Sequence, residues 1–163
     1  SLLKRLWQHQ EKVVESFTGV SGRLELIKTW RGIRIYNDTT ATTPDATLVA
    51  LRALSRNRKL VLIMGGADKG LDMVELLGNL SRFCKQVILL PGTGTDKIKN
   101  KVKNVILVEN VDEAIKKALT SCERDDILLF SPGFASFGLF RNEYDRGEKF
   151  LTAVARVTQA VTS

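Results

Sequence analysis

The chain has 163 residues, of which 44% are hydrophobic and 26% charged, a balance typical of one globular domain with a sizeable core. No apolar run approaches the ~18 residues of a membrane span and no secretory signal is recognisable, so we expect a cytoplasmic protein. The formal net charge of +7 is compatible with an anionic small molecule or a nucleic acid as ligand, and the absence of an aromatic-rich RNA motif favours the small molecule.

The first predicted element is an amphipathic helix over residues 2–17, in which apolar side chains recur among charged ones. Residues 18–22 carry glycine and serine, a composition typical of a hinge. We therefore expect an entry helix or linker end over 1–17, a hinge over 18–22 and the main domain over 23–163. This domain opens with a predicted β-hairpin, whose strands are residues 23–28 and 32–36.

Strands and helices alternate after the hairpin. Short apolar strands are predicted at residues 60–64, 86–90, 105–108 and 126–130. A helix is predicted to start at Pro44 with Thr43 as its cap, and another over 73–83 with Asp72 as its cap. Further helices are predicted from Asp96, over 111–120, and in a last segment containing Phe140, Tyr144 and Phe150. This alternation predicts an α/β fold with an open, mostly parallel sheet and helices on both faces. Two cysteines, Cys84 and Cys122, lie in helix-like segments outside any ligand motif and are predicted to be buried thiols in a reducing compartment.

Three polar loops follow predicted strands, at residues 38–43, 65–69 and 131–136. The carboxyl ends of parallel strands share one edge of the sheet, so we expect these loops to converge. Backbone N–H groups and helix N-termini at that edge favour negative charge. The sequence therefore predicts a binding site for an anionic ligand.

Each candidate side chain has a functional and a structural interpretation. Lys69 suits a carboxylate or phosphate, or is a surface lysine in a turn. Asp38 accepts a hydrogen bond from a ribose, helps to hold a cation, or satisfies its own backbone in an Asx turn. Thr42 and Ser136 either donate to a ligand or cap the helices that follow. Arg23 either contacts a phosphate across a cleft or lies on a strand surface.

Several catalytic motifs are absent from the sequence. It contains no Gly-x-x-x-x-Gly-Lys-Ser/Thr phosphate loop, no Gly-x-Gly-x-x-Gly after a strand, no metal-ligand cluster and no Ser–His–Asp set. We therefore expect this domain to supply only part of an active site.

Four segments resemble, in order and spacing, motifs of the Mur ligase family. They are residues 17–23 (family pattern F-x-G-x-x-H-R), 37–47 (N-D-S-K-A-T-N-P-x-A-T), 65–72 (G-G-x-x-K-x-x-D) and 131–147 (S-P-A-x-A-S-x-D-x-F-x-N, then R-G). The last two are similar to the loops of the glutamate-adding member. The chain is thereby identified as a C-terminal domain of this family.

The resemblance implies a Rossmann-like domain of a three-domain, ATP-dependent amide-bond ligase of peptidoglycan synthesis. The substrates would be ATP, D-glutamate and UDP-MurNAc-L-alanine, and the N-terminal and central domains would be the protein partners. ATP and Mg²⁺ would be held mainly by the central domain, while this domain brings in the amino acid and closes over ATP. The domain alone would be inactive, with no nucleic-acid partner and no membrane insertion.

The resemblance also implies roles for single residues. Thr42 and Lys69 would hold one carboxylate of glutamate, and Ser136 with the Phe137 backbone would hold the other. Arg23 would reach the ATP phosphates and Asp38 would face the nucleotide ribose. No residue of this domain is assigned a catalytic role and none a metal.

The chain departs from the family pattern at four positions. Thr40 stands where the family usually has lysine, Gly22 where it often has histidine, Gly138 where it has aspartate, and Glu143 where an aromatic residue is frequent. One alternative is therefore a ligase domain for L-glutamate or another acidic amino acid. The other is a non-catalytic α/β module that binds anions or nucleic acid.

Overall fold

A computed structural model describes residues 20–56 and 59–161. The predicted entry helix over 2–17 and the first part of the predicted hinge lie outside the described residues. Both remain predictions.

The described chain forms one six-stranded sheet with helices on both faces, as predicted. The strands are β1 (Glu25–Trp30), β2 (Ile33–Asn37), β3 (Leu60–Met64), β4 (Cys84–Leu89), β5 (Val105–Leu107) and β6 (Ile127–Phe130). The helices are α1 (Pro44–Ser55), α2 (Val74–Phe83), α3 (Thr93–Ile98), α4 (Val111–Ser121) and α5 (Glu143–Ala160). None of these helices is both long and apolar enough to cross a membrane.

The strand order is β1-β2-β6-β3-β4-β5. The hairpin pair β1–β2 is antiparallel and every other pair is parallel. The last strand, β6, lies between β2 and β3. The three strands that carry the polar loops are therefore direct neighbours.

The sheet is covered on both faces because its central strands are apolar on both sides. In β3, Val61 and Ile63 belong to one buried cluster, while Leu62 and Met64 belong to the other. Helices α4 and α5 cover the first face, and α1, α2 and α3 cover the second. On the first face the rings of Phe130 and Phe150 stack with centroids 4.4 Å apart, which anchors α5 to β6.

Most helix starts follow local chemistry. Thr43 caps α1 as predicted, because its Oγ1 accepts a hydrogen bond from the Ala46 N–H at 3.2 Å and Pro44 follows. The predicted cap of α2 at Asp72 is displaced by one residue: Met73 is the N-cap, although Asp72 still accepts from the Val74 N–H at 2.9 Å.

Two further predicted helix starts are wrong. Helix α3 begins at Thr93 rather than at Asp96. Helix α5 begins at Glu143 and is capped by Asn142, so Phe140 precedes it and Ser136 is not its cap. The physical reason is a turn in which the Phe140 N–H donates to the Ser136 carbonyl at 3.2 Å, which separates the third loop from the helix.

The cysteines differ in position from the prediction. Cys84 begins β4 directly after α2, whereas the sequence pattern placed it in a helix; Cys122 follows the last residue of α4. Cys84 is buried and Cys122 half-buried, and burial raises the pKa of each thiol to about 12. Both side chains are therefore protonated, unreactive thiols at neutral pH.

Candidate functional site

Backbone hydrogen bonds join the three polar loops at the carboxyl edge of the sheet. The Gly133 N–H of the third loop donates to the Ala41 carbonyl of the first loop at 2.9 Å. Ala67 of the second loop and Ala135 of the third exchange two hydrogen bonds of 3.0 and 3.2 Å. The third loop therefore lies between the other two, as β6 lies between β2 and β3, and the predicted convergence is confirmed.

Glycines allow this close approach. Gly66 has φ +144°, and a Cβ at this position would lie 2.5 Å from the Ala135 carbonyl oxygen. A Cβ at Gly92 would lie 2.2 Å from the Gly66 carbonyl oxygen. The second loop is thus packed backbone against backbone from both sides, which no larger residue permits.

Thr42 and Lys69 line the same narrow cleft, together with Gly133 and Phe134 of the third loop. Lys69 is exposed and Thr42 half-buried. The structure therefore brings together two of the four residues predicted to bind glutamate.

Asp68, the residue before Lys69, is fixed by two hydrogen bonds and an ion pair. The Asp68 N–H donates to Thr93 Oγ1 at 3.0 Å, and the Asp68 carboxylate accepts from the Gly70 N–H at 3.0 Å. Lys97 forms an ion pair with the same carboxylate. The hydrogen bond from Lys97 is the main cause that lowers the pKa of Asp68. Lys97, rather than Lys69, is therefore the cation paired with Asp68.

The other two predicted glutamate-binding residues follow the paired Ala135. Ser136 is 5% exposed, whereas Phe137 is 66% exposed. Neither lines the narrow cleft of Thr42 and Lys69. Ser136 is nevertheless tied to the second loop through its neighbour Ala135.

Asp38 is buried at the end of β2, with 3% of its surface exposed. Its Oδ1 accepts from the Leu24 N–H at 3.0 Å, and its Oδ2 accepts from Ser131 Oγ at 2.7 Å. Burial raises the pKa of this carboxyl, while Ser131, the Leu24 N–H and the charge of Arg23 oppose that rise. Asp38 therefore joins the first loop to the start of the domain, near Arg23, and its contact with a ribose remains a prediction.

Two further interpretations of this region can be compared with the structure. The Asx turn is made by Asn37, whose Oδ1 accepts from the Thr39 N–H at 3.2 Å, and not by Asp38. Arg23 is exposed, and its charge is one of the influences that oppose the rise in the pKa of Asp38. This exposure is compatible with a phosphate contact, which remains a prediction.

We expect Asp38→Asn to stabilise the domain at pH 7.5. The amide keeps both hydrogen bonds, with its oxygen accepting from Leu24 and its NH₂ donating to Ser131 Oγ, and it removes a buried charge. Because the folded-state pKa of Asp38 is raised, the cost of its charge is present above that pKa and disappears as the pH falls through it. The gain in urea midpoint should therefore shrink between pH 7.5 and pH 4. An equal loss of stability at both pH values would contradict this account.

Arg146 is a residue of this site that sequence reasoning left without a role. It is fully buried, and its guanidinium donates to Thr39 Oγ1 at 3.3 Å, to the Thr39 carbonyl at 2.8 Å and to the Phe134 carbonyl at 2.9 Å. Burial lowers its pKa to about 10, so it remains charged at neutral pH. The sequence feature that could have identified Arg146 as buried is its helical spacing from the core residues Phe150 and Val154.

Gly147 makes the approach of α5 possible. A Cβ at this position would lie 2.7 Å from Thr39 Cγ2. The Arg146–Gly147 pair of the fourth motif therefore brings α5 against the first loop.

The comparisons with known proteins agree with this geometry. Residues 22–134 match the family model "Mur ligase, glutamate ligase domain". Two proteins named UDP-N-acetylmuramoylalanine--D-glutamate ligase are similar. The one from Roseiflexus sp. is 40% identical over 92% of this chain and 33% of its own length, and the one from Aquifex aeolicus is 37% identical over 86% and 34%. The chain spans about a third of the length of these curated relatives.

Solved structures share the fold. MurF ligase from Thermotoga maritima in complex with ADP has a TM-score of 0.64 at 22% identity, covering 89% of this chain and 33% of that one. A bifunctional folylpolyglutamate synthase/dihydrofolate synthase from Yersinia pestis, complexed with AMPPNP and Mn ion, has a TM-score of 0.57 at 16% identity, covering 89% and 32%.

Proposed function

Since the chain belongs to the Mur ligase family, as a glutamate ligase domain, we propose that it is the C-terminal domain of an ATP-dependent ligase that adds D-glutamate to UDP-MurNAc-L-alanine. The names of its relatives and its share of their length support this proposal. The observation that supports it best is the third loop, which is hydrogen-bonded to both other loops and so brings three strand ends together at one edge of the sheet.

The proposed reaction needs a domain that holds a doubly acidic amine. ATP would phosphorylate the carboxylate of UDP-MurNAc-L-alanine, and the amine of D-glutamate would displace the phosphate to form the amide. ADP and phosphate would be the other products. This domain would bind and orient D-glutamate and close over the nucleotide in the cytoplasm.

Two carboxylates require two anion sites. We assign one carboxylate to the Lys69 ammonium and the Thr42 hydroxyl, which line one cleft. We assign the other to the hydroxyl of Ser136, the last residue of the third loop, and to the backbone N–H of Phe137, which follows it. Arg23 would contact the ATP phosphates.

In this proposal Mg²⁺ is bound by another domain of the enzyme. Among residues 20–56 and 59–161, no three His, Cys, Asp or Glu side chains are grouped as metal ligands. As the resemblance to the Mur ligases implies, we assign Mg²⁺ and most contacts to ATP to the other domains of the enzyme, which are the proposed partners.

The test is phosphate release by the purified full-length enzyme with ATP and UDP-MurNAc-L-alanine. We expect release to depend on D-glutamate, with L-glutamate far less effective, and we expect none from the 163-residue fragment alone. A preference for L-glutamate would replace the proposed substrate. Absence of ligase activity together with tight, salt-sensitive nucleic-acid binding would replace the proposed class of protein.

A further inference from the structure

We propose that Arg146 is a positioning residue that sets the spacing between the two carboxylate sites of the glutamate pocket, and thereby the length of diacid that the enzyme accepts. The inference rests on the proposed function and extends it to a residue that touches no substrate.

The guanidinium of Arg146, on α5, is hydrogen-bonded to both the first and the third loop. Two of its hydrogen bonds go to Thr39 in the first loop and one goes to the Phe134 carbonyl in the third. Thr39 is held from the same helix a second time, because its Oγ1 donates to the Glu143 carbonyl at 2.6 Å. The start of α5 therefore clamps both loops at once.

The clamped residues lie close in sequence to the proposed ligand contacts. Thr39 is three residues before Thr42, and Phe134 is two residues before Ser136. One hydroxyl belongs to each carboxylate site. A change in the distance between Thr39 and Phe134 therefore changes the distance between the two sites.

The charge environment of Arg146 also indicates that this residue positions the loops rather than stabilises the fold. The guanidinium donates to one hydroxyl and two carbonyls, which are neutral, and Glu143 attracts it without being one of these acceptors. A buried charge without an ion-pair partner costs desolvation that an apolar side chain of similar size would avoid. What an apolar side chain does not provide is a rigid, planar set of donors that reaches two loops.

The substitution Arg146→Lys distinguishes the effect of the positive charge from the effect of the arrangement of hydrogen-bond donors. Its ammonium keeps the positive charge, but it is a point donor on a flexible stem and does not reproduce the planar fork of arginine. Two other links between the loops remain in Arg146→Lys: the Gly133 N–H donates to the Ala41 carbonyl, and Ser131 Oγ donates to the Asp38 carboxylate. The variant should therefore fold with a looser spacing.

The experiment compares diacids of different length in the full-length enzyme. kcat/KM is measured for D-glutamate, for D-aspartate, which is one methylene shorter, and for D-2-aminoadipate, which is one methylene longer. Arg146→Lys should reduce the preference for D-glutamate over both homologues by about tenfold, the order that one methylene is worth in a binding pocket. The KM for ATP should change far less than the preference among diacids, because most contacts to ATP are assigned to the other domains of the enzyme.

Arg156→Lys is the matched control, since Arg156 is an exposed arginine of the same helix that pairs with Asp112. It should leave the preference unchanged. Arg146→Gln, which keeps a planar donor without the charge, is measured in the same way, so that a failure of the lysine variant to fold still leaves a readout. A parallel loss of activity on all three diacids, or an unchanged preference, would overturn the inference. A wild-type enzyme without D-glutamate activity would instead overturn the proposed function, and this inference with it.

Discussion

Replacement of Lys69 by alanine in the full-length enzyme is expected to raise the KM for D-glutamate by about 100-fold. Lys69 is the cation of the cleft that it shares with Thr42, and its neighbour Asp68 is already paired with Lys97. Without this lysine, the carboxylate of D-glutamate would lose a charge-assisted hydrogen bond in the closed complex. Such a loss lowers the affinity roughly 10- to 100-fold. The added loss of the ion's attraction places the expectation at the upper end.

The KM for ATP and the thermal midpoint should change little, because Lys69 is exposed and its removal leaves no buried group unpaired. Lys117→Ala is the matched control, since Lys117 is an exposed lysine on α4, away from the loops. An unchanged KM for D-glutamate in Lys69→Ala would remove Lys69 from the site. Equal effects of the two substitutions would indicate a general effect of net charge instead.

Gly66→Ala is expected to destabilise the domain by about 3 kcal/mol or more, the combined order of backbone strain and overpacking. The methyl group would lie 2.5 Å from the Ala135 carbonyl oxygen and would occupy a backbone with φ +144°. A carbonyl in a paired backbone cannot rotate away as a flexible side chain can. The second and third loops would have to separate, so glutamate binding should weaken together with stability.

Two other glycines supply the controls. Gly70 has φ +71°, and nothing lies within 4 Å of the point that a Cβ would occupy, so Gly70→Ala measures the cost of the left-handed backbone alone, about 1 kcal/mol. Gly78 lies in α2 with open space around it, so Gly78→Ala should stabilise by about 0.5–1 kcal/mol. Urea unfolding of the three variants measures these differences. A Gly66→Ala midpoint no lower than that of Gly70→Ala would contradict the close packing of the loops.

Elements that depend on short-range chemistry were predictable. The uniformly apolar strand Leu60–Met64 was predicted at its observed bounds, and the Thr43–Pro44 start of α1 was predicted from capping preferences. Boundaries failed where a tertiary contact overrode the local pattern. Phe140 fits the apolar period of α5 but is held in a turn by the Ser136 carbonyl, and Thr93, which accepts from the Asp68 N–H, lies in α3 although Asp96 is the stronger local signal.

The sequence by itself determined the order of strands and helices, the three polar loops and the residues that they carry, because these depend on neighbours a few positions apart. Only the tertiary structure decided that β6 lies between β2 and β3, and therefore that the third loop bridges the other two. It also decided that Asp38 is directed into the domain and that Arg146 holds Thr39, a residue 107 positions away. Strand order and the pairing of distant polar side chains depend on how the whole sheet assembles and on which buried groups must find partners there, and no local pattern of residues contains that information.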